Sequence, residues 1–159
     1  VAVDPNAVPL LSHRAIEAKI VAKIYAAAES RLGRDAALAF IGEAISAAAF
    51  ESGRAFAAKA PHGRPCLTHF TQVVDLWRTG GALDIADIRH DAQTLRFNVT
   101  RCGYMDMYRE LGVPQELHAV LSCSRDAAFA AGYSPRLTLE RPETIARGCA
   151  RCAFLFRWT

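Results

Sequence analysis

An α+β domain, with N-terminal helices packed on a small, mainly antiparallel four-stranded sheet, is the fold class this sequence predicts. Three observations predict it. Apolar residues recur at helical spacing until about residue 80. From Ala82 the period changes from 3.6 to 2, and after two more helical segments the chain ends in ARCAFLFRWT, an alternating run. The order helices, hairpin, helices, two strands gives a sheet covered on one side.

Taken in order, residues 1–11 carry Pro5 and Pro9 and no periodicity, and read as a flexible lead-in to a single domain over 12–159. Ser12 caps a helix with Ile16, Ile20, Ile24 and Leu32 on one stripe and Arg14, Glu17, Lys23 and Glu29 turned away, and Gly33 stops it. A second helix spans about 35–59, its apolar face (Phe40, Ile41, Ile45, Ala48, Ala49, Phe56) rich in small residues. HGRPC breaks the chain, and Thr68 caps a short helix with Phe70, Val73, Val74 and Trp77 that ends at Gly80 and Gly81. Leu83, Ile85 and Ile88 mark a first strand, His90 and Asp91 a turn, and Leu95, Phe97 and Val99 a second strand. Tyr104, Met107, Tyr108 and Leu111 form one short helix, and Leu117, Val120, Leu121 and Ala128 another that ends at Gly132. Leu137 and Leu139 lie on a third strand, and Cys152, Phe154, Phe156 and Trp158 share one face of a fourth.

Composition narrows the function. With 52% hydrophobic and 22% charged residues, 159 residues build one core and leave little for a second. A net charge of +3, with the basic residues scattered and no Lys/Arg block, argues against nucleic acid as a partner. The longest apolar tract, 36–50, is broken by Glu43 and is short for a bilayer, so no membrane segment is expected. The first residues lack a basic stretch followed by an apolar run, and five cysteines is an odd number; both point to reduced thiols in a cytoplasmic protein. The small residues of the second helix allow a homodimer.

Two cysteines stand out. Cys102 falls where a strand gives way to a helix, so free backbone N–H groups and the positive helix end favour its thiolate. Cys123 lies on a helix with Asp126 three residues on, which puts a sulfur and a carboxylate on one face. Cys149 and Cys152 form a lone C-x-x-C, half of a zinc-ribbon pattern and without the strand and helix of a thioredoxin-like redox motif. His69 opens the Thr68 helix and serves as a base if that turn faces Cys102. His13, His62, His90 and His118 read as surface, loop or turn residues, and Arg141 and Glu143, beside Pro142, as surface charge.

The segments FNVTRC (97–102), YMDMYRELG (104–112), SCSRD (122–126) and LTLERPETI (137–145), with Gly148, Cys152 and Phe154 as a terminal G-x-x-x-C-x-F, resemble the L-2-amino-thiazoline-4-carboxylic acid hydrolase family. That family is similar in layout to the 4-vinyl reductase ligand-binding modules, some of which bind zinc through cysteines and hold small aromatic effectors. Ala153 stands where the family usually carries a polar residue.

The resemblance implies hydrolytic opening of a cyclic amidine at a carbon–nitrogen bond, which needs a nucleophile or activated water, an acid, and a holder for the substrate carboxylate. In one version Cys102 or Cys123 attacks as thiolate, Asp126 manages the proton, and Arg101 or Arg125 pairs with the carboxylate, with Tyr104 and Trp77 lining a pocket for a flat heterocycle. In the other, Cys102, Cys123 and Cys152 hold a zinc ion that activates water. The rival from another class is a non-catalytic sensor or binding module with a structural cysteine–zinc site.

Overall fold

The computed structural model describes residues 8–159. Helix α1 (Leu10–Leu32) starts after Pro9, two residues ahead of the expected Ser12 cap, and takes up the end of the expected lead-in; residues 1–7 lie outside the described part. Gly33 (φ +83°) ends α1, and α2 (Arg34–Ala57) follows at once. The short helices α3 (Leu67–Phe70) and α4 (Val73–Arg78) lead into the hairpin β1 (Leu83–His90) and β2 (Thr94–Cys102). Asp91 closes the turn, its Oδ1 accepting from the amides of Gln93 and Thr94. Then come α5 (Gly103–Glu110), α6 (Gln115–His118), a π-helical turn over 119–123, α7 (Ser124–Tyr133), β3 (Leu137–Glu140) and β4 (Cys152–Trp158).

The four strands pair antiparallel in the order β1-β2-β4-β3, and the helices cover one face. Strand period 2 sends Leu95, Phe97 and Val99 of β2 and Cys152, Phe154 and Phe156 of β4 inward, where Phe70, Trp77, Phe129 and Tyr133 meet them. A register shift in β1 around Asp87, whose φ is +56°, turns Ile88 out to solvent. Helix α2 packs on α7 through Gly53 and Gly132: a Cβ on Gly53 would collide with the Phe129 carbonyl, and one on Gly132 with the Phe50 carbonyl. By length and composition α2 would also suffice to cross a membrane, although no such segment was expected; Ala37, Ile41, Ile45, Ala49 and Gly53 form its buried row.

The outer helix reverses its expected facing. Ile16, Ile20, Ile24 and Leu32 of α1 are 60%, 61%, 45% and 59% exposed, while Ala18 and Tyr25 enter the core and Arg14 and Glu17 turn inward. Phe40 and Ala48 of α2 are exposed as well. The packed face of α1 is chosen by the polar cavity beneath it and not by its largest apolar residues.

Candidate functional site

Helices α1, α2 and α7, the β2–α5 junction and the inner face of β4 enclose a cavity of about 400 Å³. Cys102, Cys123, Asp126, Arg125, Tyr104 and Cys152, all singled out in the sequence, line it. Each is delivered by local structure. Cys102 is the last residue of β2 and the N-cap of α5. Cys123 closes the π-helical turn and caps α7, and the wider turn sets the register in which Cys123 and Asp126 face inward together. Cys152 opens β4, its Sγ accepting from the Ile145 amide at 3.2 Å.

Asp126 is the centre of the polar wall. Its side chain is 19% exposed and ion-paired with Arg141, whose Nη2 also donates to the Cys123 carbonyl at 2.9 Å. Burial pushes the Asp126 carboxyl up to about 6, while the guanidiniums of Arg141 and Arg125 pull it down. Arg141 keeps one buried donor, Nε, without a partner, and its guanidinium lies 5.0 Å over the Phe154 ring. A buried donor left unpaired is costly unless a ligand meets it. Arg141 is not the surface charge its sequence position implied: leaving β3 beside Pro142, the chain turns back under α7. Its place in the LTLER match was the one signal that could have found it.

A second polar group lines the cavity from α1. Glu17 accepts both contacts of the Arg14 Nη1 at 2.7 Å and one from Arg125 Nη2 at 2.8 Å, and Arg125 Nε donates to the Leu121 carbonyl at 2.7 Å. Two guanidiniums thus share one carboxylate. With Lys59 and Arg141 the cavity wall carries four cations against Glu17 and Asp126, a surplus of positive charge. The rest of the lining is largely apolar and aromatic, with Phe56, Trp77, Phe129 and Phe154.

The thiols are not thiolates at rest. The amides of Tyr104 and Met105 do approach Cys102, as its helix-end position required, but burial outweighs them and pushes the thiol up to about 11. Burial likewise raises Cys123 to about 12, and raises Cys152. Taking a thiolate out of water costs more than two amides return. No hydrogen bond joins either Cys102 or Cys123 to Asp126 among the described residues. The zinc reading does not fit either: among those residues no three His, Cys, Asp or Glu side chains are gathered as a metal site.

Two sequence candidates lie elsewhere. Arg101 points outward from β2, paired with Asp84 at 2.9 Å and close to Asp106, and reaches no part of the cavity. Strand alternation puts it on the face opposite its neighbour Cys102. His69 sits behind the cavity wall, stacked on Phe56 at 4.8 Å, with Nδ1 3.0 Å from the Tyr133 hydroxyl. That hydroxyl donates to the Cys66 carbonyl and accepts from the Cys66 amide, so its remaining lone pair takes the Nδ1 proton. Burial lowers the His69 pKa, and the ring belongs to the core.

A family model described as L-2-amino-thiazoline-4-carboxylic acid hydrolase matches residues 13–156, so the helical first half is included. Among solved structures, the phenol-responsive sensory domain of the transcription activator PoxR, crystallised with phenol, is similar at 15% identity and a TM-score of 0.55; the match covers 95% of this chain and 76% of that one. At that identity the likeness shows the fold alone, helices covering one face of a four-stranded antiparallel sheet. No curated protein matches.

Proposed function

The chain belongs to the L-2-amino-thiazoline-4-carboxylic acid hydrolase family, and from that premise we propose that its cavity opens a small nitrogen heterocycle bearing a carboxylate, with Asp126 as the proton-handling group. The observation that carries the reading is the Asp126–Arg141 pair: a carboxyl raised to about 6, beside a buried guanidinium donor with no protein partner, on the wall of a cavity with surplus positive charge. Arg125, with Arg14 across Glu17, holds the carboxylate end of the substrate. Arg141 Nε meets an acceptor at the reacting end, and the aromatic wall with Tyr104 packs the flat ring.

In the reaction a water adds to the amidine carbon while the Asp126 carboxylate takes its proton. The same carboxyl passes that proton to the ring nitrogen. As the carbon–nitrogen bond breaks, the carboxylate relays the new hydroxyl's proton to that nitrogen as well. The carbon thus keeps the oxygen as a carbonyl, the nitrogen leaves as the amine, and the site ends as it began. A carboxyl near 6 is ionised at neutral pH yet basic enough to help. Cys102 and Cys123, neutral and without a base in hydrogen-bond reach, form part of the wall in this route. The residues do not fit zinc, and no step runs through a metal.

A panel of cyclic amidine carboxylates tested against wild type, Asp126→Asn, Cys102→Ser and Cys123→Ser decides between routes. Turnover lost in Asp126→Asn and kept in both serine variants supports the water route. Turnover lost in Cys123→Ser with the fold intact restores the thiolate as nucleophile. A second reading, a ligand-binding module, is favoured by the aromatic wall and by the fold shared with a phenol-responsive domain. Calorimetric binding of an uncharged phenol, with no ring opened by the wild type, would favour it.

A further inference from the structure

Outside the cavity, the outer face of α1 and α2 carries exposed apolar residues that the site does not explain. Ile16, Ile20 and Ile24 follow one another at i, i+4, i+8 on α1 and lie in solvent, beside exposed Lys19, Lys23 and Ala27. On α2 the exposed row is Phe40, Glu43, Ala44, Ala47 and Glu51. Apolar residues in contiguous helical rows on a free surface are a docking face, not scattered exposure. The two rows are opposites. One is large and basic, the other mostly small and acidic, and none of Lys19, Lys23, Glu43 and Glu51 forms an ion pair among the described residues.

We propose that this face binds a second copy of the chain, α1 of each protomer lying antiparallel on α2 of the other around a twofold axis. Such an isologous contact uses each row twice. It sets Ile20 against Ala47, Ile24 against Ala44 and Phe40 against Ala27, a large residue over a small one each time. The same register brings Lys23 to Glu43 and Lys19 near Glu51. Helices of 23 and 24 residues are each roughly 35 Å long at ~1.5 Å per residue. Side by side at ~10 Å spacing they offer a face of about 700 Å², close to the ~800 Å² per partner of a stable interface. The self-complementary charge selects a copy of this chain over an acidic surface, which would meet Glu43 and Glu51 with repulsion. The inference does not depend on the hydrolase reading.

Sedimentation equilibrium of the full chain tests it, with circular dichroism to check the fold. A micromolar dimer is expected, and Ile20→Glu, at an exposed site, should give a helical monomer. Lys23→Glu and Glu43→Lys should each weaken the dimer about tenfold, and the double variant should restore it, because the exchange recreates the pair. A wild-type monomer at all concentrations overturns the proposal, as does a dimer indifferent to Ile20→Glu or a double variant no better than the singles. Monomers that bind vesicles of anionic lipid would also overturn it and reassign the face to a membrane surface.

Discussion

Helix α7 serves two buried polar nests seven residues apart, and they are built to opposite ends. At Tyr133 the hydroxyl is fully used: it meets the Cys66 amide, the Cys66 carbonyl and His69, and Phe56 and Phe70 pack the rings. At Asp126 the groups are held but not exhausted: the carboxyl is shifted upward, Arg141 Nε is left over, and the side chains face a hollow. The first nest locks α3 to α7. The second leaves spare hydrogen-bonding capacity facing a cavity. A buried polar cluster is therefore read by what it leaves unused, not by its being buried or polar.

Substitutions that act on one nest and spare the other sharpen this contrast. The largest effect is expected for Asp126→Asn, which keeps an acceptor for Arg141 but loses the base: steady-state kinetics on a cyclic amidine carboxylate should fall by about 10³-fold with an unchanged circular dichroism spectrum. Arg141→Lys comes next, since an ammonium cannot supply the Nε, the Asp126 contact and the Cys123 contact together; kcat/KM should drop by roughly 10²-fold. Tyr133→Phe should do the reverse, lowering stability in urea by about 1–3 kcal/mol with near-normal kinetics per folded molecule. Large losses of activity in Tyr133→Phe would break the division between the two nests.

The nests also respond oppositely to pH. Asp126 titrates higher folded than unfolded, so its contribution favours the fold below the ordinary carboxyl range and is lost as pH rises through about 6, at most about 3 kcal/mol. His69 titrates lower folded than unfolded, so its contribution is present above the ordinary imidazole range and is lost as pH falls. Urea denaturation across that range should show Asp126→Asn without the decline toward high pH and His69→Phe without the decline toward low pH. As a general base, Asp126 should also make kcat/KM rise with pH up to about 6 and then level off. The smallest effect is expected at Cys102→Ser, under tenfold in kcat/KM, because a neutral thiol on the wall is replaced by a neutral hydroxyl.

The strands were legible because period-2 alternation in LRFNV and CAFLF is set by the backbone itself, and both runs lie where they were expected. Likewise the i, i+3 spacing of Cys123 and Asp126 fixes them on one helical face before any tertiary contact forms. The facing of α1 was not legible. An apolar stripe shows that a helix has two sides, but which side meets the core depends on what the neighbouring elements present, and here a polar cavity draws in Arg14 and Glu17 and leaves the isoleucines outside.

Local spacing thus determined the α+β order, the strand faces and the sulfur–carboxylate pair, because each rests on backbone periods of 2 and 3.6. Tertiary structure alone decided that Arg141 comes back to Asp126 across 15 residues, that His69 stays outside the cavity, and that the thiols remain protonated. Burial, charge pairing and thiol ionisation are set by groups distant along the chain, and their balance exists only once those groups have met.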